Sequence, residues 1–120
     1  MRPELHEKTL IQQARTGDEF ALGELYRRHV DAIYRYMLYH TGDVAAAEDL
    51  TAEVFTQMLT AIGRYQERGA PFGAWLFSIA RARRADYWRK IKRRSQHEVA
   101  LVEGMEEILA GVSLEERFAH

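Results

Sequence analysis

Apolar residues recur along this chain at three- and four-residue spacing, the helical period, and no segment shows the two-residue alternation of a half-buried strand. Start and stop signals cut the pattern into pieces. Pro3 and Pro71 each stand where a helix can begin, because the first turn needs no N–H donor. Glycines at 17, 42, 63, 69 and 73 punctuate the rest. A first helix is expected from about Glu4 to Arg15, with Leu10, Ile11 and Ala14 inward, closing at Gly17. Asp18 then caps a second helix carrying Phe20, Leu22, Leu25, Tyr26, Ile33, Tyr34, Met37 and Leu38. Thr41, Gly42 and Asp43 read as stop, C′ glycine and N-cap in succession. The third helix runs from Val44 to Ile62, with Ala47, Leu50, Val54, Met58 and Leu59 on one side. After a polar loop over 64–70, the fourth starts at Pro71 or Phe72 and passes Lys90, with Phe72, Trp75, Leu76, Ile79, Ala80 and Tyr87 inward. The expected fold is all-α: a helical bundle of three long helices plus a shorter N-terminal one, formed by residues 1–94.

The chain's 120 residues allow one domain with a modest core, and 47% hydrophobic with 29% charged content is that of a globular protein. The absence of cysteine excludes disulfides and thiolate sites. No apolar run approaches the ~20 residues of a membrane span, and the N-terminus lacks the apolar core of a signal peptide, so a cytoplasmic protein is expected.

Charge changes the picture more than composition does. Net charge is only −1, yet eight of the 17 Lys and Arg lie between Arg81 and Arg94, against one acid, Asp86. Arg81, Arg84, Trp88 and Lys92 share a helix face, separate from the side of Leu76, Ile79, Arg83 and Tyr87. Cations with an aromatic among them suit nucleic acid, neutralising phosphate and stacking on bases. A solvated surface helix is the plainer alternative. The loop ahead of this helix holds Arg64, Arg68 and Gly69, with Phe72 and Gly73 just beyond. Glycine allows close backbone approach and arginine binds phosphate, although most such loops are simple turns. On the third helix Asp49 and Glu53 are neighbours on the exposed side, where like charges slightly destabilise an isolated helix and a cationic partner would relieve them. Ordinary surface acidity explains them as well.

Catalysis finds little footing. His6, His29, His40, His97 and His120 show no metal-ligand spacing, and His29 reads as a satisfied histidine near the apolar stripe of the second helix. The pairs Glu103/Glu106 and Asp49/Glu53 are dispersed, unlike the acidic motifs of all-α nucleotide hydrolases. No enzyme, metal or cofactor is expected.

The succession Ala-Glu-Asp-Leu-Thr-Ala-Glu-Val-Phe (47–55), a loop, then Phe-Gly-Ala-Trp-Leu-Phe-Ser-Ile-Ala-Arg (72–81) resembles region 2 of bacterial RNA polymerase sigma factors, most of all the extracytoplasmic-function (ECF) type. Residues 14–29 also resemble the start of that domain, and the likeness covers about 8–94. The resemblance implies that the helix at 44–62 binds the clamp coiled coil of the largest polymerase subunit, through Asp49, Glu53 and Gln57. It implies that the loop at 64–73 holds a flipped base of the −10 promoter element. The helix at 72–94 would contact the non-template strand and help open the duplex. Arg81 matches a family position, and the resemblance taken together with the basic face and the loop residues gives an expected DNA-binding set of Arg64, Arg68, Gly69, Phe72, Arg81, Arg84, Trp88 and Lys92. Ala52 stands where the family often has Gln, and Ala82 where Asn is common. An anti-sigma factor is a further candidate partner. Nothing after Arg94 resembles the family's second helical domain, which reads the −35 element. The rival reading is a helical protein-interaction module that regulates or sequesters a sigma factor.

Residues 95–120 change character, with six acids and one cation, Arg117. They read as an acidic linker or tail, with a short helix started by the capping pattern at Ser113-Leu-Glu-Glu116. Lying directly after the basic stretch, this tail is expected to fold back and partly mask it.

Overall fold

The computed structural model describes residues 6–119, with side chains through 110. Its elements are α1 (Glu7–Arg15), α2 (Glu19–Thr41), α3 (Val44–Ala61), a single 3-10 turn at Ile62–Arg64, and α4 (Phe72–Ala119). Among the described residues there is no strand, and no helix is long and apolar enough to cross a membrane. The chain divides into two compact units, residues 1–85 and 86–120, with the division falling inside α4.

The local signals place the helix ends. Asp18 accepts a hydrogen bond from the Ala21 amide at 3.0 Å, so the N-cap of α2 is the one its side chain selects. Gly42 takes φ 66° in the left-handed region, and Asp43 accepts from the Ala46 amide at 3.2 Å to open α3. The link between α2 and α3 is therefore only two residues long, Gly42 and Asp43, and the helices pack as neighbours. In the first unit the core gathers one stripe from each helix. Leu10 and Ala14 of α1 join Leu25, Ile33 and Met37 of α2, Leu50, Val54 and Met58 of α3, and Leu76 and Ala80 of α4. Glu7 ties the start of α1 to α2, accepting from His29 Nε2 at 3.0 Å, with Arg28 Nη1 at 3.9 Å. His29 is half-buried, and its ring packs against Phe72.

Several expectations need correction. Phe20 and Leu59, read as members of the apolar stripes, are 61% and 54% exposed. Tyr26 is exposed too, its ring edge resting on Phe55, a buried residue that the stripe assignment left out. In both helices the apolar arc is wider than the covering neighbours. Trp75 and Tyr87 are half-buried rather than enclosed. The third helix tightens into its 3-10 turn at Ile62. The start of the first helix at Glu4 lies outside the described residues. The largest difference is at the C-terminus. Residues 95–119 simply continue α4, so no separate short helix begins at Ser113. A continuous helix cannot turn back on itself, and in this form the acidic stretch does not cover Lys92–Arg94.

Replacing Asp18 with Ala should lower stability by about 1 kcal/mol through the lost cap. Phe72→Ala should cost ~3–5 kcal/mol, and Trp75→Ala clearly less, because only the first side chain is enclosed. Urea denaturation of the three variants measures all these differences.

Candidate nucleic-acid and polymerase interfaces

Two sets of exposed charge, of opposite sign, stand on this framework. On α3 the buried positions Leu50, Thr51, Val54, Phe55 and Met58 fix the rotation of the helix. Asp49, Glu53 and Gln57 follow one another at four-residue steps on the solvent side, and all are exposed. Thr51 is accommodated in the interior because its hydroxyl donates to the Ala47 carbonyl at 2.7 Å. The outward stripe is thus a consequence of the inward one.

The loop from Tyr65 to Pro71 is held at both ends by aromatic contacts. Tyr65 is buried, with ring centroids 5.3 Å from Phe72 and 4.9 Å from Trp75. Burial raises the Tyr65 phenol above its ordinary pKa, with further contributions from the negative charges of Glu67 and Glu7. A phenol raised in the folded state favours folding fully below the unfolded value of about 10 and loses that contribution as pH climbs through the folded value. Between these anchors Arg64, Arg68 and Gly69 are exposed, Gly69 in the left-handed region at φ 83°, where other residues are strained. Arg68 donates to Gln66 Oε1 at 3.0 Å, a weak exposed bond that competes little with a phosphate.

Phe72 does not sit where a base contact would need it. At 3% exposure it is part of the core, between His29, Tyr65 and Trp75. Its role in this conformation is to hold the loop and start α4. Arg84 also departs from expectation. It is half-buried, its Nη1 donates to His40 Nδ1 at 2.7 Å, and its guanidinium lies 5.6 Å from the centroid of the Tyr36 ring. Tyr36 in turn packs on His40 and Phe77. This cation braces α4 against α2 instead of facing solvent. The sequence offered no local signal for the pairing, since His40 and Arg84 are 44 residues apart.

Arg81 is exposed in the first unit. In the second, Lys92 is exposed and Trp88 is 43% exposed with its ring against Tyr87. Arg89 is paired with Asp86 one turn back. Among the described residues no cluster of His, Asp or Glu could hold a metal ion.

An all-α unit with an acidic stripe on one helix and a basic continuation of another defines a class of interaction domain. The sigma-70 region 2 family matches residues 25–94, more than half of the chain, and the chain belongs to that family. It is similar to the ECF RNA polymerase sigma factor BldN of Streptomyces coelicolor, 42% identical over 85 residues, which cover 71% of this chain and 32% of BldN. The ECF RNA polymerase sigma factor SigD of Mycobacterium tuberculosis is 34% identical over 88 residues, covering 70% of this chain and 42% of SigD. Among solved structures, the RsbN–BldN complex matches with a TM-score of 0.61 and 41% identity, over 67% of this chain and 58% of that one. The chain thus spans less than half the length of these two curated relatives.

The two arginines separate by experiment. Arg81→Ala should leave stability within about 0.5 kcal/mol of the parent, as at most exposed sites. Arg84→Ala should cost about 1–2 kcal/mol, because it removes a hydrogen bond and a cation–ring contact between helices. Paired denaturation curves give both values.

Proposed function

We infer that this domain binds core RNA polymerase and recognises and melts the −10 promoter element, as the promoter-opening part of an ECF-type sigma factor. The observation that carries this reading is the exposure of Arg64, Arg68, Arg81, Trp88 and Lys92 in a protein of net charge −1 that belongs to the sigma region 2 family. The similar BldN and SigD, both ECF RNA polymerase sigma factors, support it.

On this reading Asp49, Glu53 and Gln57 dock on the clamp coiled coil of the largest subunit, where the two carboxylates meet cations and the Gln57 amide adds hydrogen bonds. The exposed arginines of the loop grip the non-template strand, with Gly69 allowing its backbone to approach. Melting needs no bond-breaking chemistry and no cofactor. Taking a base out of its stack costs a few kcal/mol, and aromatic stacking returns about 1–3 kcal/mol per base, with phosphate contacts adding to it. Trp88 is an exposed aromatic within the basic stretch and is assigned that role. The protein works where polymerase works, in the cytoplasm. BldN forms a solved complex with a second protein, RsbN, which supports a regulatory protein partner, such as an anti-sigma factor, for this domain too.

Binding of a −10-like single strand, followed by fluorescence anisotropy against salt, tests the DNA half. Arg81→Ala and Lys92→Ala should each weaken binding and lower the log–log salt slope by up to ~0.7. An unchanged slope in both would remove these residues from the interface. Asp49→Lys and Glu53→Lys should impair capture of core polymerase while circular dichroism and thermal stability stay at parent values. Undiminished capture by both variants would overturn the role given to α3.

A further inference from the structure

The second unit leaves an apolar row uncovered. Val99, Val102, Met105, Ile108 and Leu109 are 53–67% exposed on one helix. Single exposed apolar residues are ordinary, but a succession at helical spacing is a contact face. Its register is that of a coiled coil. Trp88, Ser95, Val102 and Leu109 fall at seven-residue steps, and Ile91, Glu98 and Met105 each follow three residues later, the two seam positions of a heptad. Charge is divided along the same helix. Arg89, Lys90, Lys92, Arg93 and Arg94 occupy its first part, and Glu98, Glu103, Glu106 and Glu107 the part that follows.

We propose that this face pairs with the same face of a second copy of this chain, as an antiparallel two-helix coiled coil whose two-fold axis passes at the level of Ala100. The heptad and the charge division select this occupant and this direction together. About that axis the two seam positions oppose each other: Ile91 meets Leu109 of the second copy, Ser95 meets its Met105, and Glu98 meets its Val102. Lys92 comes opposite its Glu106, and the symmetry makes each of these contacts twice. A parallel pair would set the two cationic stretches side by side and the two acidic stretches side by side, which like-charge repulsion disfavours. One seam contact is unfavourable, since the Glu98 carboxylate lies against Val102 of the second copy. With a seam of about three heptads, roughly 30 Å long, the association is weak and reversible. Resting on the proposed function, the pairing has a consequence: it covers Trp88 and Lys92, so the paired form competes with DNA binding.

Sedimentation equilibrium of the whole chain, from about 1 to about 300 μM, tests the pairing directly and needs no DNA. The parent should show a reversible monomer–dimer equilibrium. Lys92→Glu and Glu106→Lys should each weaken it about tenfold or more, because two attractive contacts become repulsive. An equimolar mixture of the two variants should associate as well as the parent, since each Glu then faces a Lys, and the chain carrying both changes should do the same. Glu98→Leu should tighten the dimer. A parent that stays monomeric throughout, a dimer indifferent to both charge changes, or a mixture that fails to recover would each overturn the proposal. The DNA reading fails separately, by an unchanged salt slope in the anisotropy titration.

Discussion

The enclosure of Phe72 sets the arrangement of the first unit's functional surface. Its ring lies among His29, Tyr65 and Trp75, and this one packing event does three things. It closes the polar loop after α3 without any secondary structure inside it. It fixes the rotation of the first turns of α4, which sends Leu76, Ile79 and Ala80 inward and leaves Arg81 outward. It also joins α4 to α2 through His29, whose other contact is Glu7 at the start of α1. A loop tied at both ends by buried rings can present Arg64, Arg68 and Gly69 in a defined place while remaining open to solvent.

The division of labour among the cations follows from the same packing. Arg81 and Arg84 are one turn apart in α4 and chemically identical, yet one is exposed and the other lies over Tyr36 with a hydrogen bond to His40. A basic run is therefore not a uniform binding surface. Some of its members order the helix that carries the others, and the two kinds separate by their cost to stability.

Much of this was legible in the residues. Asp18, Gly42 and Asp43 mark the ends of α2 and α3 because capping is local chemistry, and their hydrogen bonds and φ angle follow the signal. The inward stripe of α1 and the outward stripe of Asp49, Glu53 and Gln57 follow from helical period alone. What could not be read depended on distant partners. The period marks Phe20 and Leu59 as apolar without saying that no neighbour reaches them. It does not say that His40 waits for Arg84. Residues 95–119 misled for a different reason: their change of charge suggested a break, but the stretch has no proline, and two separated glycines, Gly104 and Gly111, are too small a penalty to end a helix.

The central claim is that this domain acts on unpaired promoter DNA. The most direct measurement is the affinity of the parent chain for a −10-like non-template single strand against the same sequence in a fully paired duplex, at one salt concentration. The account predicts clearly tighter binding to the single strand, by about tenfold, since a stacked base need not first be taken from a duplex. Equal affinity for the two forms, or a preference for the duplex, would contradict it.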